Sequence, residues 1–200
     1  MKRGNKMYSL YRSYDYGIGA RITSAILVIL AALSAIAIAI TINAPRTEDG
    51  ASRVFGHELR LVQTNSMRDS GDVDTSNYKI KSFKENTLVA TERVPEDEAE
   101  AVKWYANIAV GDVLTFRYLY DRETTITHRV TSITPKEDGS GYIIELSGDN
   151  KDSDQSQLYQ TIDTSMTDSS NYIMGKVVWK SHFFGVLVSG IQRVMKAFYE

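Results

Sequence analysis

The chain has 200 residues, 42% hydrophobic and 24% charged, which suits one folded domain plus an anchor and is too short for two full domains. A formal net charge of -2 and a pI near 6.0 leave no basic footprint for nucleic acid. With Cys at 0 and His at 3 there is no disulfide framework, no thiolate nucleophile and no cysteine zinc site, and no H-E-x-x-H occurs, so neither metal nor cofactor is expected.

Residues 1–21 form a basic tail, with Lys2, Arg3, Lys6, Arg12 and Arg21 against a single Asp15. Tyr8, Tyr11, Tyr14 and Tyr16 either mark an aromatic belt at the headgroups or belong to a disordered basic segment. From Ile22 to Ala44 the chain is almost unbroken in apolar residues, long enough for the roughly 20 residues of one bilayer crossing. Ala37-Ile38-Ala39 mimics a signal-peptide cleavage site, but the apolar core is too long for a cleaved signal, so 22–44 is read as a retained signal-anchor. Pro45 supplies the stop. The charge bias places the N-terminus in the cytoplasm and the chain beyond Ala44 outside it, on a single-pass protein of the cell membrane.

Residues 45–185 carry short apolar runs bounded by Gly, Asp, Asn and Ser, the pattern of an antiparallel, mainly β domain. Strands are expected at His57 to Thr64, Thr87 to Val94, Asp112 to Tyr120, Thr124 to Ile133, Tyr142 to Leu146 and Ile173 to Lys180. Pro95 and the acids after it, running to Tyr105, read as a short helix before the Val110-Gly111-Asp112 turn. Asp149 to Asn171 is polar but lacks the order of a calcium loop and is expected to be a solvated loop. From His182 the apolar residues recur at helical spacing, so the C-terminus, 186–200 in particular, is an amphipathic helix that either lies on the membrane or packs on the domain.

Three residues in this frame can do chemistry together. Ser66 stands just after an apolar strand, and its hydroxyl is a nucleophile only if a base accepts its proton; alone it is an ordinary turn serine. His128, in Ile126-Thr127-His128-Arg129-Val130, shares a strand face with Ile126 and Val130 and so points to the packed side, as a core histidine or as a base at a cleft edge. Asp149, after Gly148, either orients an imidazole or closes a turn.

Asn65-Ser66-Met67, Gly111-Asp112-Val113-Leu114-Thr115-Phe116, Thr127-His128-Arg129-Val130, Gly148-Asp149-Asn150 and Gly175-Lys176-Val177-Val178 follow one another behind the anchor. In this order they resemble the boxes of the type I signal peptidases, specifically the serine-histidine branch of the endoplasmic reticulum enzyme, the archaea and the SipW-like bacterial members. The resemblance covers roughly 59–185 plus the anchor. It implies a signal-peptidase-like antiparallel β domain with Ser66 as nucleophile, His128 as general base and Asp149 orienting His128. It also implies that the Thr64 hydroxyl and the Ser66 amide bind the oxyanion. A second family aspartate falls on Asp152 or Asp154. The chain departs from the family's Ser-Gly-Ser-Met-x-Pro at Asn65, whose β-carbon would narrow the substrate groove, and at Arg68-Asp69; residues 68–83 read as an insertion.

The resemblance implies a membrane-bound serine endopeptidase that removes signal peptides from exported preproteins, with those peptides and the bilayer as its partners. A second reading is a catalytically silent relative acting as an assembly factor or chaperone for surface fibres, favoured by the altered serine box and the insertion. A third is a tethered β domain that only binds partners.

Overall fold

The computed structural model describes residues 17–43, 45–47, 51–118, 121–152, 160–165 and 173–199. The chain divides after Asn43 into two units. The first holds helix α1, Ile18–Asn43, whose 26 residues reach about 39 Å at the ordinary helical rise. Its stretch from Ile18 to Ile36 is long and apolar enough to cross a membrane. The hydroxyl of Thr23 donates to the Gly19 carbonyl at 2.9 Å, so this polar group is satisfied within the helix. The tyrosines of the basic tail lie outside the described residues.

The second unit is built on one antiparallel sheet of eight strands in the order β1-β2-β3-β8-β4-β5-β6-β7. The strands are β1 (Ser52–Val54), β2 (His57–Leu61), β3 (Leu88–Arg93), β4 (Val113–Tyr118), β5 (Asp121–Pro135), β6 (Tyr142–Ser147), β7 (Gln160–Asp163) and β8 (Ile173–Ser181). The mainly β reading therefore holds, with two strands beyond those expected. β7 lies within the segment expected to be a solvated loop. It pairs with β6 and buries Gln160 and Ile162 on alternate positions, a pattern too short and too polar to stand out as a run.

Helix α2, Glu98–Ala106, begins later than Pro95, because the Asp97 side chain caps it by accepting from the Glu100 amide at 2.9 Å. Its Trp104 closes one core cluster, with Ile108, Leu114, Phe116, Val130, Ile144, Leu146, Ile162 and Ile173. Met67, Ile80, Phe83, Val89, Val113 and Val177 form the second. Alternation along β4 sends Leu114 and Phe116 to the first cluster and Val113 to the second. Ile80 and Phe83 come from the expected insertion, which is thus a folded part of the core. Helix α3, His182–Tyr199, runs directly on from β8.

Candidate active site

β5 lies between β4 and β6, with His128 opposite Leu114 and Arg129 opposite Ser147. His128 is 1% exposed and meets the Phe116 ring edge-on at 6.1 Å, so it faces the first core cluster as the period of two requires. Among the described residues its buried Nδ1 has no hydrogen-bond partner. Burial pushes the His128 imidazole down to about 4; the Asp149 carboxylate opposes this and the Lys151 ammonium adds to it. The ring is therefore neutral at physiological pH.

Stability should depend on pH accordingly. The folded-state pKa lies below the ordinary value near 6.5, so the unfolded chain takes up a proton first as the pH falls. His128 contributes fully above that value, and its contribution is lost between there and about pH 4, by about 3 kcal/mol. Denaturant unfolding of the native chain and of His128→Gln across this window should show the loss only with the histidine. Parallel curves would mean that the imidazole is solvated.

Ser66 is 4% exposed in the turn after β2, and its hydroxyl lies 3.3 Å from that of Thr64. The Gly148–Asn150 segment that leaves β6 docks on this turn. The Asn150 amide donates to the Ser66 carbonyl at 2.9 Å and the Asn150 Nδ2 to the Asn65 carbonyl at 3.0 Å. Serine turn, β6 end and histidine strand thus converge on one region of the sheet. Ser66 and His128 make no direct hydrogen bond; among the described residues the serine hydroxyl's partner is Thr64 and the buried imidazole nitrogen has none.

The Asp149 carboxylate, expected to orient His128, directs its hydrogen bonds elsewhere. Its carboxylate accepts from Arg129 Nε at 2.8 Å and Nη2 at 2.7 Å, and from the Ser82 hydroxyl at 2.8 Å. The reason lies in β5: where His128 turns to one face, Arg129 turns to the other, and a guanidinium 2% exposed requires a carboxylate. Arg129 Nη1 also donates to the carbonyls of Ile80 and Gly111 at 2.9 and 2.7 Å, and its guanidinium stacks over the Tyr78 ring at 5.0 Å. Asp149 reaches His128 only through space. Asp154 lies outside the described residues, and Asp152 is an exposed turn residue.

Sequence reasoning assigned no role to Arg129, Ser82, Tyr78 or Lys151. Lys151 Nζ donates to the Ser147 hydroxyl at 2.5 Å and to the Gly148 carbonyl at 3.1 Å, pinning the end of β6 beside His128. The 68–83 segment closes where the Phe83 amide donates to the Met67 carbonyl at 2.7 Å, so it leaves and rejoins the chain at the serine turn. Gly111 sits at φ +95, and a β-carbon there would run into the Tyr78 ring, which explains a glycine beneath this segment. The Asn65 side chain is turned to the Glu85 amide, which it accepts at 3.0 Å, so it braces the segment's return. The one signal for Arg129 was a charged residue in an alternating strand next to an inward-facing histidine.

The arrangement can hold a neutral imidazole and a serine hydroxyl in one region, with a second hydroxyl beside the serine. In comparison with known proteins, no family model matches the chain, and no curated protein matches it.

Proposed function

We propose that the protein is a membrane-anchored serine endopeptidase of the signal-peptidase type, in which the Ser66 hydroxyl attacks the scissile carbonyl and His128 takes its proton. The observation that carries this reading is the docking of the Gly148–Asn150 turn on the serine turn, next to the strand that bears a neutral His128. Motifs far apart in sequence are thereby neighbours. The Thr64 hydroxyl, 3.3 Å from that of Ser66, supports an oxyanion-binding role in this reading. α1 suits a retained anchor and the basic tail before it suits the cytoplasmic side, which would set the β domain at the outer face. A signal-peptidase-like fold and signal peptides as substrates belong to the same reading.

The test is incubation of the detergent-solubilised full chain with an exported preprotein bearing small residues before its signal boundary. A cut at that boundary is the expected product. Because a general base must be neutral and burial holds His128 at about 4, the acid limb of kcat/KM should fall near pH 4 rather than near 6.5. A limb at 6.5 would mean that an exposed imidazole does the work.

One observation favours the second reading, a silent assembly factor or chaperone: the Asp149 carboxylate bonds Arg129 and Ser82, and His128 Nδ1 has no orienting partner among the described residues. Fibre assembly supported in cells by a Ser66→Ala variant, together with no cleavage of preproteins by the native chain, would decide for it.

A further inference from the structure

Helix α3 packs on its own domain through Gly185, with His182, Val188, Ser189 and Ile191 half-buried and Arg193 and Lys196 exposed. His182, Gly185, Ser189, Arg193 and Lys196 fall within one arc of about 80° at the helical period. Gly185 is buried so close to the Asn86 carbonyl and the Leu88 amide that a β-carbon would collide with both. His182 Nδ1 lies 3.4 Å from the Thr87 hydroxyl. The opposite arc carries Phe183, Phe184, Leu187, Val194, Met195 and Phe198, whose exposure runs from 39% at Leu187 to 83% at Phe198. Trp179, 44% exposed at the end of β8, stacks against Phe184 at 6.2 Å and extends this apolar surface onto the sheet.

A helix facing water would be turned the other way, since burying the apolar side is what holds an amphipathic helix to its domain. Scattered exposed apolar residues are ordinary, but a continuous strip marks a partner. The composition selects lipid. The helix has Arg193 and Lys196 and no acidic residue, so its polar side suits anionic headgroups while its apolar side suits acyl chains. Aromatic rings such as Trp179 and Phe183 favour the interface between the two. Residues 44–51 join α1 to β1 in the chain.

We propose that the outward apolar face of α3, together with Trp179, is a bilayer-docking surface that lies in the headgroup plane. It requires no peptidase activity and uses only the anchoring of α1.

The chain contains no cysteine, so single cysteines take a fluorophore at chosen sites. The full chain is reconstituted in vesicles of phosphatidylcholine and phosphatidylglycerol, labelled at Leu187→Cys or Val194→Cys on the apolar arc, at Arg193→Cys on the opposite arc, or at Ile29→Cys in α1. The expected result is blue-shifted emission, quenched by brominated lipid, from the 187 and 194 labels, with the 193 label remaining aqueous. Aqueous emission at 187 and 194 beside a quenched label at 29 would overturn the docking surface and leave the anchor standing. Blue-shifted emission that lipid does not quench and that fades as protein is diluted in excess lipid would assign the face to a second copy of the chain. An aqueous label at 29 would remove the anchor on which the inference rests.

Discussion

Replacing Arg129 with methionine should lower the stability of the β domain by about 3–5 kcal/mol, the cost of leaving one partner of a buried ion pair uncompensated. Arg129 and Asp149 are each 2% exposed, and the guanidinium serves both carboxylate oxygens and two main-chain carbonyls. Without it the carboxylate retains the Ser82 hydroxyl, and the carbonyls of Ile80 and Gly111 lose a charged donor. Arg129→Met combined with Asp149→Leu should be less destabilised than Arg129→Met alone, because no charge is then stranded. Denaturant midpoints of the variants measure this. A loss below about 1 kcal/mol, the range of solvated pairs, would contradict a dry interaction. Since Asn150 follows Asp149 and holds the Ser66 carbonyl, Arg129→Met should also loosen the serine turn.

Ser66→Ala should reduce kcat/KM for preprotein cleavage by at least about 10⁴-fold, since losing the nucleophile of a Ser-His site removes nearly all chemistry beyond binding and oxyanion stabilisation. In the proposed mechanism His128→Ala should cost a similar factor and the double variant little more, since a nucleophile and its base lose activity as a unit. With Thr64 in the proposed oxyanion role, Thr64→Val should cost about 10²-fold, the usual effect of losing one such donor. These losses should be chemical rather than structural at Ser66, whose hydroxyl makes one hydrogen bond among the described residues, at 3.3 Å and worth about 1 kcal/mol or less. Unaltered cleavage by Ser66→Ala would remove the mechanism.

The alternation in Ile126-Thr127-His128-Arg129-Val130 was enough to turn His128 inward, because a strand has only two faces. The same alternation sends Arg129 to the other face, yet its claim on Asp149 was not legible. That pairing depends on β5 and β6 meeting with Arg129 opposite Ser147, and cross-strand register leaves no trace in the spacing of residues 129 and 149. The 68–83 segment reads as an insertion because it separates the serine box from the strand that follows it in the family; its anchoring rests on Ile80, Phe83 and Tyr78, separate residues that find partners only in the fold. β7 escaped because Ile162 is its only large apolar residue. The period of α3 was plain, but not which side faces its own domain; the collision a β-carbon would cause at Gly185 decides that.

The reaction of Ser66 itself can be observed by rapid acid quench of the full chain with a preprotein, followed by mass spectrometry of the peptide carrying Ser66. The predicted result is a transient adduct with the mass of the signal-peptide acyl group on that serine, absent from Ser66→Ala. Cleavage at the signal boundary with no such adduct, and at an equal rate in Ser66→Ala, would contradict a serine nucleophile.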